Sequence, residues 1–229
     1  SNQTTITNGT TASDDSSSED SGAVYVYKRT GTNWAQEAYI KAVNSNASDN
    51  FGRGLSLNGD TIAVGAPSEK SNLTTITNGT TASDDNSYNQ SGAVYVYKRT
   101  GTNWAQEAYI KAANSNSSDI FGKGLSLNGD TIVVGAPSER SNLTTITNGT
   151  TASDDNSYNQ SGAVYVYKRS GSNWAQEAYI KAVNNSSSGR GNFGYSVAVY
   201  KDTLVVGSYE ENSNQTTITN GTTASDDSS

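Results

Sequence analysis

Ser21-Gly22-Ala23-Val24-Tyr25-Val26-Tyr27-Lys28-Arg29 recurs from Ser91 and again from Ser161, a period of 70 residues. A fixed period of this size marks a repeat architecture, in which each unit buries its apolar surface against its neighbours. Within the passage Val and Tyr alternate, so the two residue types point to opposite faces of a strand, and both faces are apolar in bulk. A strand covered on both sides belongs between packed sheets. The expectation is an all-β chain of β-propeller-type blades.

The rest of one unit reads outward from that strand. Before the insert that precedes it come Phe121 to Leu127, then Asn128-Gly129, then Asp130 to Pro137. Two strand-like runs around Asn-Gly predict a hairpin with a type I′ turn, positive φ at both central residues. Asn58-Gly59 repeats the signal, whereas Tyr200-Lys201 replaces it in the last copy and predicts a different turn. After Ala163 to Tyr167 a turn at Ser170 to Asn173 leads into Trp174-Ala175-Gln176-Glu177-Ala178-Tyr179-Ile180-Lys181. Ala, Gln, Glu and Lys favour helix, but a strand here completes an antiparallel unit of four, and strand is the reading preferred.

Phe51-Gly52 followed by Gly65-Ala66-Pro67 resembles the FG-GAP repeat, the blade unit of the integrin α-subunit propeller; Phe121-Gly122 with Gly135-Ala136-Pro137 matches equally. Phe193-Gly194 with Gly207-Ser208-Tyr209 is a degenerate third copy. The fuller pattern is most similar to FG-GAP repeats of microbial surface proteins. The resemblance implies propeller blades as part of a larger ring or repeating assembly. Many such blades carry a calcium loop between their first two strands, but Leu57-Asn58-Gly59-Asp60-Thr61 offers one Asp in a tight turn, too few oxygens for calcium.

These signals divide the chain into a partial polar insert (1–20), an outer then an inner strand pair (21–70), a polar insert (71–90), a second repeat (91–140), another insert (141–160), a third repeat (161–212) and a partial insert (213–229). Outer strands thus precede inner ones, so 21–42 want inner partners and 193–207 want outer ones. Ser1 to Ser17 and Ser213 to Ser229 are identical. The duplication suggests a window on a longer repeating protein, or a unit that continues head-to-tail. With neither an initial Met nor a signal peptide, a mature, trimmed or partial chain is expected.

Composition narrows the function. The net charge of −7 disfavours nucleic acid, and no apolar run approaches the ~20 residues of a spanning helix, so membrane insertion is not expected. The chain has no His and no Cys, which removes Ser-His-Asp chemistry, thiolate nucleophiles and disulfides; a non-enzyme is expected.

The inserts hold the candidate sites. Thr74 to Thr81 is itself patterned as a hairpin around Asn78-Gly79, though an isolated ribbon needs outside support. Asn8, Asn72, Asn78, Asn142, Asn148, Asn214 and Asn220 open Asn-x-Ser/Thr sequons, candidate N-glycosylation sites on surface loops. Asp84, Asp85, Asp154 and Asp155, with partial equivalents at Asp14-Asp15 and Asp226-Asp227, are candidate calcium ligands. They lack the alternating spacing of a known calcium loop. Trp34, Trp104 and Trp174 recur once per repeat and either stack on sugar rings or pack blade on blade. The expected function is an extracellular or cell-surface structural or adhesion protein, with a filament subunit and glycosylated loops within that reading. Its partners would be itself, further repeats, glycans or other surface proteins. The alternative is a carbohydrate- or ligand-binding propeller module.

Overall fold

A computed structural model describes residues 3–185, 191–222 and 224, and every regular element among them is a strand. The first sheet holds β1 (Ile6–Asn8), β2 (Val24–Thr30) and β3 (Asn33–Ile40) in the order β1-β3-β2. The second holds β4 (Gly54–Asn58), β5 (Thr61–Ala66), β6 (Ile76–Asn78), β7 (Ala93–Thr100) and β8 (Asn103–Ile110) in the order β4-β5-β7-β8-β6. The third repeats this with β9 (Gly124–Asn128), β10 (Thr131–Ala136), β11 (Ile146–Asn148), β12 (Ala163–Ser170) and β13 (Asn173–Ile180) in the order β9-β10-β12-β13-β11. A final hairpin pairs β14 (Ser196–Tyr200) with β15 (Thr203–Gly207). The strands pair antiparallel throughout the described residues, and isolated parallel bridges join Gly22 to Phe51, Gly92 to Phe121 and Gly162 to Phe193.

Each complete sheet therefore joins the inner pair of one sequence unit to the outer pair of the next, as the order of strand types requires. The insert adds a fifth strand. Ile76–Asn78 does not fold back on itself as its Asn-Gly hairpin pattern suggests; it pairs with β8, Ile76 opposite Ile110 and Asn78 opposite Ala108. Three residues cannot support a free ribbon, but they can extend an existing sheet edge. The run from Trp174 is strand, because its alternate residues are buried between sheets and that burial outweighs helix propensity.

The hairpin turn also differs from the type I′ expectation. Asn58 pairs with Thr61, so the two-residue loop is Gly59-Asp60, and only Gly59 has positive φ (57°). In the last hairpin Lys201 takes that position at φ 52°.

The sheets stack in chain order, with the valine face of one against the tyrosine face of the next. Val24, Ala38 and Ile40 pack on Ile62, Val64, Tyr95 and Tyr97. Val94, Val96 and Ile110 likewise meet Ile132, Val134, Tyr165 and Tyr167. Phe51 closes one core edge-on to Tyr95 and Tyr97, at 5.3 and 6.2 Å between ring centroids, and Phe121 does the same with Tyr165 and Tyr167. Such pairs add about 0.5–1.5 kcal/mol beyond area burial.

The Phe-Gly and Gly-Ala-Pro segments interlock. Gly122, at φ 91°, seats its carbonyl where a side chain on Gly65 of the preceding sheet would lie, and Gly194 does so over Gly135. Backbone approaches backbone here with no room for a Cβ, which is the physical reason for glycine in both motifs.

Candidate functional site

The strand ends beside the inserts carry a buried polar network that occurs once in each complete sheet. Glu69, just past β5, faces Lys111, just past β8, with 2.8 Å between Lys111 Nζ and Glu69 Oε2. Lys111 also donates to Ser91 Oγ at 2.8 Å, while the Tyr109 hydroxyl donates to Glu69 Oε1 at 2.9 Å. Asn44, from the segment after β3 in the preceding sheet, donates to the Ser83 carbonyl at 2.6 Å and accepts from the Tyr95 hydroxyl at 2.6 Å. The network thus ties two sheets and an insert together. Glu139, Lys181, Tyr179, Asn114, Ser161 and Tyr165 repeat it. Burial lowers the Lys111 and Lys181 pKa values, partly offset by the adjacent Glu69 and Glu139 carboxylates. A buried ion pair of this kind serves position more than net stability.

Sequence reasoning misses this network: neither Lys111 and Lys181 nor their Glu, Tyr and Asn partners stand out as a group in the chain. The available signal was a charged residue repeated inside an apolar context, in Tyr-Ile-Lys-Ala. Nothing in the spacing says that this Lys turns inward.

A second device links neighbouring sheets at their outer strands. Between Val26 and Tyr27 the β2–β3 register slips by one residue, leaving Glu37 without a direct opposite. A bulge re-aims the side chain it frees. Glu37 here accepts from Arg99 at 3.1 Å and from Trp104 Nε1 at 3.1 Å. Arg99 also holds Asp60 at 2.5 Å. Glu107, Arg169, Trp174 and Asp130 repeat the arrangement. Trp104 and Trp174 are therefore buried packing residues, whereas Trp34 is 68% exposed.

The inserts are held at fixed points. Gln106 Nε2 donates to the Gly79 and Thr81 carbonyls at 3.3 and 3.0 Å, and Gln176 does likewise to Gly149 and Thr151. Asp85 Oδ1 accepts from the Asn72 and Ser87 amides at 3.0 and 3.1 Å and from Ser87 Oγ at 2.7 Å; Asp155 matches it. These bonds hold both carboxyls below the usual carboxylate range. Asp85 and Asp155 thus close the loops, with Asp84 and Asp154 exposed beside them. Among the described residues, no group of three or more His, Cys, Asp or Glu is placed to hold a metal. Asp226 and Asp227 lie outside the described residues.

The sequons fall into two settings. Asn72, Asn142, Asn214 and Asn220 are exposed in irregular segments. Asn8, Asn78 and Asn148 end β1, β6 and β11, the short edge strands. There Asn8 Oδ1 accepts from the Trp104 amide at 2.9 Å and Asn78 Oδ1 from the Trp174 amide at 2.8 Å. Their amides work across the joint between sheets.

Comparison with protein families gives a consistent picture. The model of the FG-GAP repeat matches residues 34–97, 104–167 and 174–222. No curated protein matches the chain significantly. Each matched stretch runs from a tryptophan strand through Phe-Gly to the Gly-Ala-Pro position, the segments whose backbones interlock from sheet to sheet, and on into the following strand or insert. Three in-phase matches over most of the chain place this protein in the FG-GAP repeat family.

Proposed function

We propose that this FG-GAP module is an extracellular structural or adhesion protein whose sheets act as a rigid mount for repeated polar loops. The observation that carries the reading is the identical anchoring of successive inserts by a fifth strand, a glutamine and an aspartate. Anchoring at fixed spacing makes each loop a copy of the last, and repeated weak contacts gain strength through effective concentration. The partners are other copies or further repeats of the same protein, with glycans or surface proteins at the loops. Glycosylation of exposed sequons fits an extracellular setting. The absence of His and Cys from the sequence supports a non-catalytic role.

The test displays the chain on beads and measures their retention under flow on glycan-coated and protein-coated surfaces. Shortening one or both insert tips should leave the strand signal in circular dichroism intact and reduce retention more than in proportion to the loops removed. Retention independent of the loops overturns the reading. A second reading, a carbohydrate-binding module, is favoured by a cleft of about 410 Å³ lined by Gln90, Ile120, Arg140, Asn159 and Gln160. Its amides and guanidinium suit sugar hydroxyls. Saturable glycan binding lost in Arg140→Ala, with loop variants unaffected, would favour it.

A further inference from the structure

We infer that the cleft between the second and third sheets binds an acidic sugar, a hexuronate residue, whose carboxylate is taken by Arg140. This ligand assignment rests on the carbohydrate-binding reading of the same cleft. Every wall is internal to the chain. Gln90 stands before β7, Ser118 and Ile120 before β9, Ser138 and Arg140 after β10, and Gln160 before β12. The Ser118 amide donates to the Asn89 carbonyl at 2.7 Å and the Ile120 amide to the Gln90 carbonyl at 3.0 Å, so the turn that enters β9 is fixed against the end of the preceding insert. A cleft of about 410 Å³ on a fixed frame is of the size that small-molecule sites have.

The repeats differ here. In the first, Lys70 donates to the Ala47 carbonyl at 2.7 Å and lies 3.5 Å from Asp49, and Asn50 donates to Ser68 Oγ at 3.2 Å, so these groups satisfy one another. In the third, Asn192 donates at 2.6 Å to Glu210, which holds the Ser68 position. The second repeat breaks both contacts. Ile120 replaces the asparagine and its side chain can make no such bond, yet it keeps a φ of 52°, which a β-branched residue adopts only under strain. Arg140 replaces the lysine. Its buried Nε has no hydrogen-bond partner, and among the described residues no carboxylate lies within ion-pair distance of it, whereas Lys70 has Asp49. Asp119, the counterpart of Asp49, is buried with its Oδ1 unpartnered and its carboxyl pushed up to about 7 by desolvation, so it neutralises Arg140 only in part. Backbone strain and an unmet cation at one cleft mark a place shaped for a ligand more than for the fold.

The lining selects the ligand. A half-buried guanidinium with a free Nε offers the planar fork that a carboxylate fills. A phosphate dianion asks for a second cation, and none lines the cleft. No carboxylate lines it either, so the ammonium of an amino acid finds no partner. The other polar groups are neutral: the amides of Gln90, Asn159 and Gln160 and the hydroxyls of Ser118 and Ser138. These suit ring hydroxyls, while Ile120 gives an apolar wall to the C–H face of a ring. Carboxylate, hydroxyls and an apolar face together describe a hexuronate.

Titration calorimetry of the 229-residue chain with trimers of galacturonate, glucuronate and mannuronate, and with their methyl esters, tests this. The ester keeps the ring and removes the charge. The net charge of −7 repels acidic sugars elsewhere on the chain, so a saturable signal reports this cleft. At least one acid should bind, about tenfold or more tighter than its ester. Arg140→Gln should remove that preference, and Arg140→Lys, which keeps the charge and loses the fork, should retain only part of it. Ile120→Asn should weaken binding while raising the melting temperature, because the asparagine ties down Ser138 as Asn50 does Ser68. A purely structural role for Ile120 would not move binding and stability in opposite directions. Equal binding of acid and ester, lost in Arg140→Ala, overturns this inference and leaves the carbohydrate reading standing. An acid preference that survives Arg140→Gln in a folded chain also overturns it, as does acetate binding as tightly as the sugar acids. Failure of every acid to bind overturns it too and, when an array of neutral glycans is equally silent, the carbohydrate reading with it.

Discussion

Ile120 has φ 52°, in the left-handed region, at the position where Asn50 and Asn192 occur. Asn tolerates this conformation and a β-branched residue does not. Asn50 Nδ2 also donates to the Ser48 carbonyl at 2.8 Å and to Ser68 Oγ at 3.2 Å, bonds that Ile cannot make. Ile120→Asn is therefore expected to stabilise the chain by about 1–3 kcal/mol, read from a chemical-denaturation midpoint. Asp119 next to it is buried, and desolvation pushes its carboxyl up to about 7, with the Asn116 amide and Arg140 opposing and Glu139 adding to the rise. A carboxyl whose pKa is higher folded than unfolded binds its proton more tightly in the fold. Its contribution is fully present below the unfolded value near 3.8 and is lost as pH rises to about 7. Asp119→Asn should leave stability unchanged near pH 4 and raise it at pH 8 by up to about 4 kcal/mol, removing part of the decline between. A loss of stability at pH 8 would contradict this account.

At the scale of elements, the buried Glu69–Lys111 pair holds the ends of β5 and β8 together. Removing one partner strands a charge, so Lys111→Met alone is expected to cost about 3–5 kcal/mol. Glu69→Leu with Lys111→Met should recover much of that loss in a double-mutant cycle. The fifth strand makes a second prediction. Asn78 Nδ2 lies toward the Trp174 carbonyl at 3.4 Å while its Oδ1 holds the Trp174 amide, so a sugar on Nδ2 cannot be accommodated without breaking the joint. Expressed in a glycosylating secretory host and peptide-mapped, Asn72 and Asn142 should carry sugar at higher occupancy than Asn78. Equal occupancy would show that the insert is not docked when glycan is added.

For the whole molecule, stability comes from sheet-on-sheet contacts repeated along the stack, so damage to one interface is felt mainly by its two sheets. Gly65→Ala places a methyl against the Gly122 carbonyl backbone, which cannot move as a flexible side chain would. The expected cost is about 1–3 kcal/mol. Hydrogen exchange should accelerate in β4, β5 and β9 and change little in β2 and β3. Uniform acceleration throughout would mean that the sheets unfold as one unit instead.

The sequence by itself determined the repeat, the strand types and their order, and the two glycine motifs, because period and alternation are local properties of the chain. Val24-Tyr25-Val26-Tyr27 shows a two-faced strand wherever it is placed. Only the tertiary structure decided which face meets which neighbour, and that Ile76–Asn78 adds to β8 and does not form a hairpin. It alone turned Lys111 inward to Glu69 and Glu37 outward to the next sheet. The partners in these contacts are about 40 to 70 residues apart and lie on different strands or sheets. Their meeting depends on register and stacking, which no window of sequence contains.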